Sequence, residues 1–167
     1  DLLPCADNRF RYIVNIKNTF NTPLYVNVWF DWNADGDWDD AFACSQAKLV
    51  PEWAIRNQAI DTVALGPGVH TVLTPAFYAW ADSDKIPENI WMRITLSEKR
   101  YAQTADIQYA GGSGPKSGYQ FGETEDYLIH PPVTKKDFSD APEKYPTLLP
   151  DGARHIIAGP WLGDEKD

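Results

Sequence analysis

Hydrophobic and polar side chains alternate along several short stretches of the chain, and this two-residue period predicts β-strands. The alternation is clearest in the stretch LYVNVWFD (24–31), whose valines and Phe30 share one face while Asn27 and Asp31 lie on the other. The same rule gives three further strands, at residues 10–17, 90–96 and 123–129. The chain is therefore predicted to be rich in strands.

Turn residues separate these stretches. Gly66-Pro67-Gly68 lies between residues 61–65 and 69–73, so these two runs are predicted to pair as a hairpin. Residues 41–57 do not alternate and are compatible with a short helix or a long loop, and residues 111–118 predict a flexible glycine-rich loop. We therefore predict an all-β fold, an antiparallel β-sandwich of the immunoglobulin or jelly-roll type with long loops.

The composition changes at His130-Pro131-Pro132, where two consecutive prolines stop a strand ladder from continuing. We place a domain boundary there, with residues 1–130 as the sandwich. Residues 131–167 are too few to build their own core, so they are interpreted as a C-terminal extension. This extension is a linker and the beginning of a following domain, or an appended segment.

The 167 residues are 43% hydrophobic, which is enough for one sizeable core. The net charge is −9, which repels phosphate backbones and anionic lipids, and no apolar run is long enough to cross a membrane. We expect neither a nucleic-acid partner nor membrane insertion. The first residues lack the charged and apolar regions of a signal peptide, so the sequence is interpreted as mature or excised material.

The chain contains two cysteines, Cys5 and Cys44. Their even number, and the lack of His or Cys at the spacing of metal ligands, favours a disulfide over two free thiols. An export route to an oxidising compartment would permit such a bond.

The strongest chemical signal is the stretch DWNADGDWDD (31–40), in which oxygen-bearing side chains occupy every second position. The predicted ligands in this stretch are Asp31, Asn33, Asp35, Asp37 and Asp39. Calcium takes six to eight oxygen ligands, and a glycine within such a loop permits a sharp turn. The pattern therefore predicts a Ca²⁺ site, whereas Mg²⁺, with its strict octahedral geometry, fits less well.

An EF-hand does not explain this loop, because a strand precedes it and Phe42 occupies the position of the bidentate glutamate. A carboxylate from elsewhere is needed, and Glu123 or Glu125 is the candidate. A solvated acidic turn is the alternative explanation, but five acidic side chains in ten residues repel one another without a cation.

Three stretches in this order, VNVWFDWNADGDW, IWMRITLS and GYQFGETEDYLI, resemble the GEVED domain, a module of large bacterial and archaeal extracellular proteins. Its Gly-Glu-x-Glu-Asp motif corresponds to residues 122–126, and the resemblance covers about residues 24–129. It implies a β-sandwich within a secreted multidomain parent chain, extracellular or at the cell surface, whose other domains are the expected partners. The family pattern places a Glu shortly after the Asp-rich loop, whereas this chain has Ala41-Phe42-Ala43.

The tail resembles the segment that often follows such modules, through DFSDAP (137–142), Arg154-His155 and Leu162-Gly163. A second cation site built from Asp140, Asp164 and Glu165 is conceivable, but solvated charges explain these residues better.

We therefore predict a calcium-stabilised structural or adhesive module and not an enzyme. The three histidines are far apart in sequence, and neither G-x-S-x-G nor H-E-x-x-H occurs. The alternative function is carbohydrate binding, in which exposed aromatic rings stack on a surface glycan. The candidate rings are Trp32, Trp38, Trp80 and Tyr101. These rings could instead cover the ends of the sandwich while Trp29 and Trp91 pack within it, and aromatic edge strands could support self-association.

Overall fold

A computed structural model describes residues 2–45, 48–81, 89–102, 111 and 118–130, together with the backbone of 136–138 and 154–156. Nearly all of the regular structure in these residues is β-strand. The elements in chain order are β1 (Asp7–Asn8), β2 (Arg11–Ile16), β3 (Leu24–Phe30), β4 (Ala41–Ser45), β5 (Lys48–Pro51), β6 (Trp53–Ile60), α1 (Thr62–Leu65), β7 (Gly68–Leu73), β8 (Phe77–Tyr78), β9 (Ile90–Ser97), β10 (Gly122–Ile129), β11 (Lys136–Phe138) and β12 (Arg154–Ile156).

The main sheet has the strand order β10-β9-β3-β6, and all its neighbours are antiparallel. Its register places Val28 opposite both Ile94 and Ile55, and Ile94 opposite Glu125. Because side chains of opposed residues lie on the same face, the alternating apolar residues of β3, β6 and β9 form one apolar inner face. The all-β prediction is confirmed.

A smaller sheet of β2 and β7 covers part of this inner face. Tyr12 of β2 donates a hydrogen bond to Gln58 Oε1, and Gln58 Nε2 donates to the carbonyl of Leu73. Phe10 packs edge-on against Phe77, whose ring stacks on Phe30. The two layers enclose an apolar core, which is the arrangement expected of a β-sandwich.

The outer face of the main sheet is also buried over β3. Trp29 is fully buried, stacks on Trp53 and meets Tyr101 edge-on. Asn27 beside it is buried as well and accepts hydrogen bonds from Trp53 Nε1 and the backbone of Asn57. Strand β3 is thus covered on both faces, whereas Trp91 in β9 is 48% exposed instead of packing inside.

Two local predictions were wrong. Residues 61–65 do not form a hairpin with 69–73, because the Asp61 carboxylate accepts from the amides of Val63 and Ala64 and so caps the short helix α1. Strand β7 pairs with β2 instead. Residues 41–57 contain β4, β5 and the first part of β6, and the described residues of this stretch form no helix. The stretch lacks a regular alternation because burial changes irregularly along β5 and β6.

Several sequence predictions lie outside the described residues. These are the loop at 112–117 and most of the extension, including Asp140, Asp164 and Glu165. Within the extension, β11 and β12 pair in antiparallel orientation. Within the part of the chain that the structure describes, no helix is long and apolar enough to span a membrane.

The predicted disulfide between Cys5 and Cys44 is present, and it joins residues 39 positions apart. It ties the N-terminal segment to β4, which begins where the Asp-rich loop ends. The same region is held by a hydrogen bond from the Cys5 amide to the carbonyl of Ala79.

We predict that replacing both cysteines by serine lowers the free energy of unfolding by about 4 kcal/mol, because an unfolded chain without the cross-link regains the entropy of a loop of about 40 residues. Urea denaturation of the oxidised protein and of the double variant measures the difference. Equal midpoints would show that the bond contributes nothing to stability.

Candidate metal centre

The Asp-rich loop begins where β3 ends and is organised by its own carboxylates. Asp31 is buried, and its two oxygens accept hydrogen bonds from the amides of Asp35 and Gly36. Asp35 Oδ1 accepts from the amide of Asp37, and Asp37 Oδ1 from the amide of Asp39. Each carboxylate therefore turns the following backbone toward itself, as aspartates do in Asx turns.

Two residues of the loop adopt left-handed backbone conformations, Ala34 with φ 57° and Gly36 with φ 93°. Glycine adopts this conformation without steric cost, which explains why position 36 of the loop is a glycine. These reversals fold the stretch from Asp31 to Asp40 into a compact loop, in which several of its carboxylates lie close together.

Three carboxylates of the loop meet. One oxygen from each of Asp35, Asp37 and Asp40 lies within 4.8 Å of the others. Two oxygens bound to one Ca²⁺ at about 2.4 Å can be at most twice that distance apart, so the three oxygens can share an ion. The donor set, carboxylates only, is the chemistry that a hard cation prefers. The cluster is therefore compatible, in spacing and in chemistry, with a hard cation such as Ca²⁺.

The amide of Asn33 cross-links this cluster. Its Nδ2 donates to Asp35 Oδ2 at 2.7 Å and to Asp40 Oδ2 at 3.0 Å, while its Oδ1 accepts from the amide of Asp35. Asn33 thus presents a partial positive charge to the carboxylates. A half-turn of the amide would present Oδ1 instead and make Asn33 a cation ligand, as the sequence predicts.

Glu52 closes the base of the loop. Its side chain is fully buried, with Oε1 accepting from the amide of Trp32 and Oε2 from the amide of Asp40. Its backbone carbonyl accepts from Phe30, and its amide donates to the carbonyl of Asp40. One residue therefore makes four hydrogen bonds to the two ends of the loop.

The local environment disfavours the charged forms of several acidic groups. Burial raises the pKa of Glu52 to about 8, and the nearby Asp31 and Asp40 add to this effect. Burial also raises the pKa of Asp31, and a side-chain hydrogen bond to Asp37 raises that of Asp39. Among the described residues none of these carboxylates has a Lys or Arg ion-pair partner. A divalent cation would supply the missing positive charge.

The second acidic motif lies on β10, where alternation sends its side chains to opposite faces. Glu123 and Glu125 are exposed on the inner side of the main sheet and are not part of the carboxylate cluster, which contains Asp40 instead. Thr124 and Asp126 lie on the outer side, where the Thr124 hydroxyl is 3.1 Å from that of Thr95.

Arg93 connects the β10 motif to the Asp-rich loop. Its Nε and Nη2 both donate to the carboxylate of Asp126 at 2.6 Å, and its guanidinium lies 5.2 Å from the centre of the Trp38 ring. Its Nη1 donates to the carbonyl of Gly111, where a Cβ would collide with that ring. Arg93 thus joins the Asp-rich loop and the β10 motif, through a cation–π contact with Trp38 and a bidentate ion pair with Asp126.

The four rings proposed to stack on glycans occupy different environments. Trp32 and Tyr101 are buried, with their rings against Phe30 and against the Trp29–Trp53 pair respectively. Trp38 and Trp80 are partly exposed, but Trp38 carries Arg93 on its face and Trp80 stacks on Phe42 at 4.1 Å.

Sequence reasoning did not select Glu52, Arg93 or Asp126 for this site. Glu52 lies in the stretch whose pattern was uninformative, and its contacts span 12 and 20 residues. Arg93 lies in a strand whose residues alternate in the usual way, so the pattern does not distinguish it from other polar positions. Asp40 belonged to the acidic run but fell outside its every-second-residue spacing, so only the folded loop reveals it.

The fold and this loop together define a class, that of all-β domains with an oxygen-lined acidic loop at the end of a buried strand. The chain belongs to the GEVED domain family, whose model matches residues 25–130, more than half of the sequence. The matched part runs from β3 to the end of β10 and contains both acidic motifs, but not β1 or β2. No curated protein and no solved structure matches the chain.

We predict that the chelated protein loses stability as the pH rises toward 8. The folded-state pKa of Glu52 lies above its ordinary value of 4.5, so between these values the folded chain keeps a proton that the unfolded chain releases. Melting temperatures in a chelator should therefore fall across this window and level off above it. Glu52→Gln, which cannot ionise, should flatten the profile. The same slope in both proteins would contradict this assignment.

We also predict that Asp126→Asn lowers the free energy of unfolding by about 1 kcal/mol, a modest value because the ion pair is partly solvated. The matched control is Glu125→Gln, which removes the same charge one residue earlier on the same strand and should change stability by less than about 0.5 kcal/mol. Urea denaturation measures both variants. Equal losses would mean that net charge matters and the Arg93 contact does not.

Proposed function

We propose that this domain binds Ca²⁺ in the Asp-rich loop and that the ion stabilises the domain as a structural or adhesive module. The convergence of Asp35, Asp37 and Asp40 within 4.8 Å carries the proposal, because mutually repelling carboxylates are held at the separation that one ion requires. Asp31 and Asn33 line the same loop and would complete the shell with backbone carbonyls and water.

The ion would act mainly on the folding equilibrium. Calcium bound only to the folded chain stabilises it by a free energy that grows with the logarithm of the calcium concentration. The loop begins at β3, returns through β4 beside the disulfide, and reaches β10 through Trp38 and Arg93. A cation there would therefore fix the relative positions of elements that are distant in sequence.

The wider context follows from the family. GEVED domains are modules of larger chains, and the disulfide is compatible with an oxidising, extracellular environment. In such a setting free calcium is abundant, so a site of modest affinity would remain filled. We propose that the domain is a calcium-filled spacer or adhesive unit of a secreted or cell-surface protein.

Calorimetric titration of chelator-treated protein tests the proposal. We expect one bound calcium and a rise in melting temperature, equivalent to about 2.7 kcal/mol at a hundredfold excess over the dissociation constant. Asp37→Asn and Asp40→Asn should each weaken binding by about tenfold or more, since each removes one charged ligand. Magnesium at the same concentration should stabilise the protein less. No heat and no thermal shift with millimolar calcium would refute the proposal.

Glu123→Gln and Glu125→Gln serve as controls, and they also test whether a carboxylate of β10 is a ligand of the ion. If the loop supplies the shell by itself, both variants bind calcium as the unaltered protein does. A tenfold loss in either would place a β10 carboxylate in the shell, as the sequence alone suggested. Because both side chains are exposed, the variants should fold normally.

A further inference from the structure

The sandwich is uneven, because over residues 92–97 of β9 its inner face is less covered than its outer face. The apolar inner residues Met92, Ile94 and Leu96 are only partly buried, whereas the polar outer residues Thr95 and Ser97 are fully buried. Apolar side chains at the interior face of a sandwich are normally the best covered. The main sheet has four strands in the described part of the chain and the sheet above it has two, so β9 and β10 lie beyond its cover.

A cavity of about 960 Å³ lies between β2 and the inner side of β9 and β10. Every residue from Phe10 to Asn18 lines it, so it extends along the whole of β2. Its other side is formed by the inner residues of β9 and by Glu123, Glu125 and Tyr127 of β10. The six residues of β2 span about 20 Å, which makes the cavity a groove with the length of a β-strand.

Both strands that border the groove have an unpaired edge in the described residues. Strand β2 pairs only with β7, and β10 pairs only with β9. A free edge presents a row of backbone donors and acceptors that another extended chain can pair with. A strand added at the β2 edge would enlarge the upper layer to three strands and cover β9 and β10.

The charges along the groove indicate which side chains such a strand carries. Glu123 and Glu125 project from the β10 wall, and neither has an ion-pair partner among the residues described. At the opposite wall, Arg11 of β2 and Lys17, which directly follows β2, are both exposed. Side chains that point inward from an added strand would therefore meet apolar residues of β9 and two carboxylates of β10.

We propose that this groove binds an extended segment of another polypeptide, which adds as a strand to the free edge of β2. Its inward side chains alternate between apolar residues, which pack on Ile94 and Leu96, and Lys or Arg, which pair with Glu123 and Glu125. Main-chain hydrogen bonds supply affinity, and the two kinds of inward side chain supply specificity. A second copy of this chain is a poorer occupant, since each copy carries a net charge of −9.

This inference is independent of calcium binding, and it involves a strand, β2, that lies outside the family match. The test therefore uses the full chain both with calcium and with a chelator. The probe is a labelled, end-capped peptide, Val-Thr-Lys-Thr-Val-Thr-Lys, and its comparison is the same peptide with Glu in place of Lys. Fluorescence anisotropy measures the two affinities.

The Lys peptide should bind about tenfold more tightly than the Glu peptide, and the double variant Glu123→Lys with Glu125→Lys should reverse this order. N-methylation of the peptide backbone at the positions that face β2 should abolish binding, a readout that leaves the protein unaltered. Equal affinities for the two peptides, or full binding of the methylated one, would overturn the proposal. So would a dimer in sedimentation experiments whose formation excludes the peptide, because a second copy would then fill the groove.

Discussion

The hydrogen bonds made by Glu52 are the constraint on which the acidic loop depends. Its carboxylate accepts from Trp32 and Asp40, and its backbone pairs with Phe30 and Asp40, so both ends of the loop are fixed to one residue. The side-chain acceptor of these bonds is the buried carboxyl group of Glu52, which lies close to Asp31 and Asp40. The arrangement that gives the loop its shape therefore also brings several acidic groups close together. Hydrogen bonds determine the geometry, and a cation would balance the charge.

The link from the loop to β10 follows from strand alternation. Within the Gly-Glu-Thr-Glu-Asp motif, Asp126 faces outward to Arg93 and the loop, whereas Glu123 and Glu125 face the groove. Gly122 is needed because a Cβ there would collide with the carbonyl oxygen of Leu96. The residues of this short motif thus have three different roles. Gly122 permits the close approach of two strands, Asp126 joins the motif to the Asp-rich loop through Arg93, and Glu123 and Glu125 line the groove.

The parts of the fold that the sequence predicted are the strands whose two faces differ in polarity. Strands β2, β3, β9 and β10 were found by alternation, and the register of β3 and β9 agrees with it. Strands β4 to β6 were missed because their environment varies along the chain, and α1 was missed because one capping aspartate outweighs the glycine turn signal that follows it. Spacing alone selected Asp35 and Asp37 of the carboxylate cluster, but it selected Asp39 in place of Asp40. Glu52 and Arg93 could not be predicted, since their contacts depend on how distant strands come together.

The outer and inner faces of the main sheet differ in what holds their cover in place. On the outer face, Asn27 and Asn57 share a hydrogen bond, and the Asn57 side chain bonds both the amide and the carbonyl of Tyr101. Such directional bonds admit one arrangement, so the chain's own Tyr101 is fixed over Trp29 and Trp53. The inner face over β9 offers apolar area, which is non-directional and accepts any strand of suitable pattern. Specificity there must come from the free backbone edge of β2 and from the two glutamates, which is why a change of two charges should be enough to change the preferred partner.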